Sequence, residues 1–244
     1  MTRIVAWNVC GGGGKRVPAI TSALTSLDPS IVVLSEVTEP RLDEWMVALA
    51  GLGLTHQTHT VASVTETDPY GLIVATSRPQ EAEPWVQPSP FPNRTVRVRV
   101  DGLSVTGIHA PDQPKPAAPF YAWLLAASPP PPDTDAVLVG DFNADLDGEG
   151  IALARYFAPL VDSGWTHGLR HLHPNGDHTS WWGHHRGFAI DHCLVSPALV
   201  PSLNRAEILA AIGGVPTAGP GLHMSDGTLS DHRPLLVDLV APPR

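Results

Sequence analysis

The sequence predicts an α/β (α+β) fold, on three observations. Short apolar runs rich in β-formers recur between residues 4 and 240, helical periodicities separate several of them, and two runs flank Asp101-Gly102 as the arms of a hairpin would. Each such element has an apolar face that must be buried against another layer, so sheets covered by helices are expected.

The elements follow in order. The first strand is 4–7 (IVAW) and the second 31–34 (IVVL). Between them Ile20, Ala23, Leu24 and Leu27 fall at helical spacing, and Asp28-Pro29 closes that helix. A second helix is expected with Thr38 as N-cap, Pro40 in the first turn, an apolar stripe of Leu42, Trp45, Met46 and Leu49, and Gly51 just past its end. Strands are expected at 71–76 (GLIVAT), 95–100 (TVRVRV, with clean alternation) and 103–108 (LSVTGI). A helix covers about 117–127, and prolines 129–132 form a stiff surface connector rather than a domain boundary. Strands at 136–139 (AVLV), 190–195 and 234–240 complete the pattern. Residues 1–244 are read as one domain, a length sufficient for a well-buried core.

Composition narrows the function classes. No apolar run approaches the roughly 20 residues a membrane-spanning helix needs, and no basic-then-apolar leader is visible, so a cytoplasmic location is expected. The net charge of −9 with only two lysines, Lys15 and Lys115, offers no broad basic face of the kind that holds DNA independently of sequence. Nucleic-acid contact would be local, transient or metal-assisted. Cys10 and Cys193 lack metal-site spacing and are read as small buried thiols. Nothing in the sequence points to a protein partner.

One stretch invites a wrong reading. IVAWNVCGGGGK ends four glycines on a lysine, but a phosphate-cradling P-loop needs a glycine where Val9 stands and a Ser or Thr where Arg16 stands. Gly11–Gly14 are therefore expected to form a turn, and Asn8 before them is the residue of interest.

Asn8 is one of a set of polar residues associated with apolar strands: Glu36 ends the second, His109, Asp141 and Asn143 follow others, Asp191 and His192 sit within one, and Asp231 and His232 precede the last. Strand ends that share one rim can bring such side chains into one pocket. Glu36, Asp141, Asp191 and Asp231 offer hard oxygen ligands suited to magnesium or manganese, with Asn8 and Asn143 as neutral ligands or donors. His109 and His232 can donate to a phosphoryl oxygen or exchange protons near neutral pH. Together they suggest metal-assisted attack of water on a phosphate ester.

The blocks WN (7–8), LSEV (34–37), GIHAPD (107–112), GDFNAD (140–145), AIDHCLVS (189–196) and LSDHRPL (229–235) resemble, in order, the signatures of the endonuclease/exonuclease/phosphatase superfamily. The resemblance runs from about residue 3 to 240 and implies a four-layer sandwich, two packed mixed β-sheets flanked by helices, as in deoxyribonuclease I. It implies Mg2+ or Mn2+ at Glu36, with Asn8 beside it as ligand or phosphate contact and Asp231 as a further metal-side carboxylate. His232 would touch the scissile phosphate and be oriented by Asp191, Asp141 would align or deprotonate water, and Asn143 would hydrogen-bond the phosphoryl group. His109 falls where the deoxyribonuclease I and sphingomyelinase branches have histidine and abasic-site endonucleases have tyrosine. Arg94 is the expected phosphate-binding arginine, with Arg97 as competitor, and Asp68 is a candidate to orient His109.

There are departures from the pattern. His192 stands where the family reads tyrosine, and is expected to be a packing variation on the far face of its strand. Only eight residues, GHHRGFAI, separate HTSWW from Asp191, where abasic-site enzymes carry a longer loop. Trp181 and Trp182 are candidates to stack on a base, with a core position the plainer expectation. Six histidines lie between 167 and 185, read as a solvated loop, with transition-metal binding as the alternative. The favoured function is a divalent-metal phosphodiester hydrolase, a nuclease with nucleic acid as substrate. The rivals are a phosphatase or phosphodiesterase for a small-molecule or lipid-headgroup phosphate ester, and a degenerate binding protein. The substrate-selecting loops are placed at about 55–69, 111–119 and 165–188.

Overall fold

In a computed structural model the structure describes residues 1–85, 89–131, 133–146, 153–180, 187–219 and 227–240. The strands are β1 (Thr2–Asn8), β2 (Ile31–Val37), β3 (His56–His59), β4 (Gly71–Thr76), β5 (Gln80–Ala82), β6 (Thr95–Val100), β7 (Leu103–His109), β8 (Ala136–Asp141), β9 (Thr166–His167), β10 (Asp191–Val195), β11 (Leu203–Ile208), β12 (Ala211–Ile212), β13 (Val215–Pro216) and β14 (Leu235–Leu239). The helices are α1 (Val17–Leu27), α2 (Leu42–Gly51), α3 (Pro114–Ala127), α4 (Ala154–Asp162) and α5 (Gly168–Leu172).

The strands form two six-stranded sheets, ordered β11-β14-β1-β2-β4-β3 and β5-β6-β7-β8-β10-β9, with β12 and β13 as a separate small hairpin. Alternation along the strands assigns one face of each sheet to the other sheet and the opposite face to helices. Ile4, Ala6, Val33 and Val74 of the first sheet thus meet Val96, Val98, Val105, Val137 and Val139 of the second. Their neighbours Val5, Trp7, Val32 and Leu34 pack instead on Ile20 and Leu24 of α1 and on Trp45 and Leu49 of α2. Ile108 and Leu138 likewise pack on Phe120 and Leu124 of α3 and Phe157 of α4. The expected two packed mixed sheets flanked by helices are present. Each fully buried aliphatic side chain adds about 1.5–3 kcal/mol.

Strand direction builds the site. β1 and β2 are parallel, as are β7 and β8, while β10 runs antiparallel to β8 with Asp191 opposite Asp141. The ends of β1, β7 and β8 and the start of β10 therefore share a rim, which receives Asn8, His109, Asp141 and Asp191.

Several local expectations are corrected. Thr38 starts a 3-10 turn over Glu39–Arg41 and makes no side-chain cap bond, so α2 begins behind that turn and includes Gly51. α3 starts at Pro114, three residues early, because prolines near a helix start remove only N–H groups that have no partner there. Glu36 lies inside β2 at a bulge, with φ +60°. The stretches assigned to substrate-selecting loops contain β3, the start of α3, β9 and α5. Asp101 and Gly102, both at positive φ, close the β6–β7 hairpin as expected. Trp181, Trp182, His184 and His185 lie outside the described residues.

Candidate active site

Asp141 is the hub of the rim. Its Oδ2 accepts from Asn8 Nδ2 at 2.9 Å and its Oδ1 from the backbone N–H of Asn143 at 2.8 Å. His109 Nε2 and His232 Nε2 each lie 3.9 Å from Oδ2. Asn8 Nδ2 also donates to Glu36 Oε1 at 3.0 Å, and Asn8 Oδ1 accepts from the Cys10 N–H at 2.9 Å, which fixes the amide with its NH2 toward the two carboxylates.

The glycine turn holds Glu36. Residues 10–14 all adopt positive φ, and the Gly11 N–H donates to Glu36 Oε2 at 2.7 Å while the Gly12 N–H donates to the Glu36 carbonyl at 2.7 Å. A Cβ on Gly12 would lie 2.4 Å from Thr38 Oγ1, so the turn needs glycine there. Arg16 binds the turn to the loop that carries His232, donating to the carbonyls of Leu229, Val9 and Cys10. Ser230 Oγ and Trp7 Nε1 brace the same loop through the carbonyls of Asn8 and His232, at 2.6 and 2.9 Å.

His232 Nδ1 meets Asp191 Oδ2 at 2.8 Å, both buried. Burial alone would lower the imidazole pKa, but the carboxylates of Asp191 and Asp141 reverse this and hold it well above the usual range. The two carboxylates thus favour the imidazolium form, with Nδ1–H donating to Asp191. Burial raises the Asp141 carboxyl, and the charge of His232 and the Asn8 bond oppose that rise. Ser180 Oγ accepts from the N–H groups of Ile190 and Asp191, both at 3.0 Å, and so fixes the start of β10.

His109 behaves differently from the expectation of a titrating histidine. Burial, and then the charges of Arg94 and His232, lower its pKa well below the usual value, so it is neutral. Arg94 Nη1 lies 3.0 and 3.1 Å from its two ring nitrogens, while Nε and Nη2 of Arg94 hold Asp68 at 3.0 and 2.5 Å. Asp68 thus reaches His109 only through Arg94. Arg97, the competitor, lies over the Trp85 ring at 3.7 Å. Asn143, at φ +49°, donates from its amide to the Ala110 carbonyl at 2.8 Å. Asp231 accepts from Ser230 Oγ at 3.3 Å, and together with Glu36 it adds to the burial that pushes the Cys10 thiol up to about 12. Cys10 is half-buried beside the site, unlike the fully buried Cys193.

Two residues escaped the sequence reading. Tyr70 stands beside His109, ring centroids 6.2 Å apart, and Glu36, Cys10 and Asp231 add to the burial that raises its hydroxyl pKa. Ser180 fixes Asp191 as described. Tyr70 sits in a stretch without periodicity, and Ser180 lies in the HTSWW block, where the sequence reading singled out only the tryptophans.

Asp141, Asp191 and His232 bring ligand atoms within 4.8 Å of one another, a group that could hold a metal ion only with His232 deprotonated. The rim as a whole is rich in carboxylate oxygen, which fits a hard divalent cation. The histidine-rich segment fits no metal at His167. That residue is buried, with Nδ1 accepting from the Arg170 N–H and Nε2 at 2.9 Å from His192 Nδ1, whereas His171 and His173 are exposed.

Solved structures share the fold. The chain superimposes on the 3′ phosphatase NExo from Neisseria bound to a product DNA hairpin, with TM-score 0.75, 22% identity and coverage of 99% of this chain and 100% of that one. An AP endonuclease from Archaeoglobus fulgidus gives TM-score 0.78 at 17% identity, covering 99% and 100%. The 3′-5′ exonuclease NExo from Neisseria meningitidis gives 0.73 at 21%, covering 98% and 100%. Among curated proteins, no sequence matches. The model of the Endonuclease/Exonuclease/phosphatase family matches residues 5–232, which span the whole rim from Asn8 to His232, and the chain belongs to that family.

Proposed function

We propose that the protein is a divalent-metal-dependent phosphodiester hydrolase, a nuclease that cleaves DNA or RNA by attack of water on phosphorus. The observation that carries this reading is the buried Asp191–His232–Asp141 arrangement: an imidazolium held by one carboxylate, with its Nε2 3.9 Å from a second. His232 Nε2–H is a cationic donor for a phosphoryl oxygen, and Asp141 is the group that aligns a water and takes its proton. Asn143, and Asn8 on exchange of one of its two carboxylate bonds, are the neutral donors to the phosphoryl oxygens. Neutral His109, with Arg94 against it, borders the same space.

Glu36, Asp231 and Asn8 would hold Mg2+ or Mn2+. The cation, when bound, supplies charge neutralisation for the phosphoryl group. The Asn8 NH2 spends its two hydrogens on Glu36 and Asp141 and so positions both carboxylates; a direct contact with phosphate requires that one of these bonds be exchanged. The proteins of similar structure are a 3′ phosphatase bound to DNA, an AP endonuclease and a 3′-5′ exonuclease, which supports nucleic acid as substrate. A single domain in the cytoplasm completes the proposal. No described helix is long and apolar enough to cross a membrane.

One observation favours a second reading, a small phosphate ester as substrate. Arg94 is engaged by Asp68 and His109 and Arg16 by carbonyls, which commits these two cations near the rim to contacts within the protein.

The test is a substrate panel with Mg2+, Mn2+ or chelator: supercoiled plasmid, single-stranded DNA and RNA, a 3′-phosphate duplex and bis(4-nitrophenyl) phosphate. Chelator-sensitive cleavage of a nucleic acid supports the nuclease. Turnover of the small ester alone supports the second reading, and turnover of none contradicts both.

A further inference from the structure

His192, in the place where tyrosine was expected, packs on the helical face of β10, its ring stacked on Phe157 at 4.6 Å between centroids and beside Phe142 at 5.7 Å. It also carries two polar contacts that a packing residue does not need. His192 Nε2 is 2.7 Å from the carbonyl of Ala144, and Nδ1 is 2.9 Å from His167 Nε2.

The chain of contacts has one consistent proton assignment. A carbonyl only accepts, so His192 Nε2 carries a hydrogen and donates to Ala144; its Nδ1 then accepts from His167 Nε2–H, and His167 Nδ1 accepts from the Arg170 N–H at 3.3 Å, at the start of α5. Every ring nitrogen is used. The wire runs from the helix start, through two buried imidazoles, to the loop that bears Asp141 and Asn143.

Other bonds tie the same loop: the Tyr121 hydroxyl donates to the Phe142 carbonyl and the Asn143 amide to the Ala110 carbonyl. Phe142 N–H donates to the Ile190 carbonyl, Asp145 accepts from the Ala189 N–H at 3.3 Å, and Asn143 between them stands at φ +49°. Behind the loop lies a cavity of about 190 Å³ lined by Asp145, His167, Arg170, His178 and His192 among others. Ala144 itself is buried in the core with Phe142 and Phe157, while Asp145 lines the cavity, so the His192 bond to the Ala144 carbonyl fixes the chain where packed core gives way to open space.

We propose that His192 is a positioning residue for the reaction: by donating to the Ala144 carbonyl, with its tautomer fixed by His167, it holds the loop that presents Asp141 and Asn143. The kinetic part rests on the proposed phosphoester hydrolysis, while the structural part stands without it. His192→Phe keeps the ring and its stacking but removes both contacts. His192→Gln places an amide NH2 near the Nε2 position and can restore the bond to Ala144.

The test compares these two variants with the wild type by kcat and KM on whichever panel substrate turns over, and by amide hydrogen exchange across residues 141–146. The expected result is a kcat about 10–100-fold lower in His192→Phe with KM within about twofold, and most of that loss recovered in His192→Gln. Exchange across 141–146 rises in the first and returns in the second. Imidazole 15N shifts of the wild-type protein should show His192 as the Nε2–H tautomer, a readout independent of any variant's folding. Unchanged kcat and exchange in His192→Phe, equal losses in both variants, or the Nδ1–H tautomer would each overturn the proposal. If the wild type turns over no phosphoester, the reaction reading fails, and the exchange and tautomer results still decide the positioning.

Discussion

Asp191 Oδ2 and His232 Nδ1 lie 2.8 Å apart in a buried pair that leaves the imidazole Nε2 directed at the neighbourhood of Asp141. The pair sets both the orientation of His232 and its charge. Asp191→Asn removes the charge and keeps the size. It should lower the rate by roughly 10³-fold or more, as loss of a carboxylate behind a catalytic histidine does elsewhere. In NMR titrations the His232 pKa should lie above 6.5 in the wild type and fall in Asp191→Asn. A folded-state pKa raised in this way contributes stability below pH 6.5 that is lost as pH rises through the folded value. Asp191→Asn should therefore lessen the decline of stability on the alkaline side in urea titrations.

Glu36 is held by Asn8 and by the Gly11 N–H while its carboxylate borders Asp141 and His109. Glu36→Gln keeps the shape and removes the charge. Calorimetric titration with Mn2+ should show affinity reduced at least about tenfold, and chelation should abolish wild-type turnover. Equal Mn2+ affinity in the two proteins would remove Glu36 from the cation site.

His167 and His192 are buried and neutral, their pKa values lowered mainly by burial to about 2 and about 4. The unfolded chain binds protons at these positions near pH 6.5 and the folded one does not, so stability is present above pH 6.5 and falls with acidity. For His192 alone the loss between pH 6.5 and about 4 is roughly 3 kcal/mol. Urea unfolding at pH 7.5 and pH 5 should show the decline, and His192→Phe should make it shallower.

Gly140 precedes Asp141 at φ +137°, and a Cβ there would lie 2.2 Å from the Ile108 carbonyl oxygen. The contact is backbone against backbone and cannot be relieved by a rotamer change. Gly140→Ala should destabilise the protein by about 3 kcal/mol or more and displace Asp141. A thermal unfolding midpoint within a degree of the wild type would contradict this.

Strands with apolar runs, such as β1, β4 and β8, were legible because their residues must be buried on both faces, and the polar residues that end or interrupt them formed one rim once strand direction was known. The edge strand β3 (HQTH) was not, since its four residues are only half-buried and carry no apolar pattern. β11 (LNRAEI) escaped for a similar reason, and α4 hides a helix behind Pro159. Within the site, the ordered motifs marked Asp141, Asn143, Asp191 and His232. The Asp68–Arg94–His109 sequence of contacts was only partly visible, because spacing cannot tell which of two acceptors an arginine takes. Tyr70 and Ser180 act through distances that exist only after folding.

The most direct experiment is hydrolysis of a nucleic acid or small phosphate ester in 18O-labelled water with Mn2+, comparing wild type with His232→Ala, His232→Gln and a chelator control. Attack of water on phosphorus requires label in the product phosphate, turnover abolished by chelator, and a rate at least about 10³-fold lower in both His232 variants. Turnover by His232→Ala at the wild-type rate, or product free of label, would show that the Asp191–His232–Asp141 arrangement does not perform the reaction.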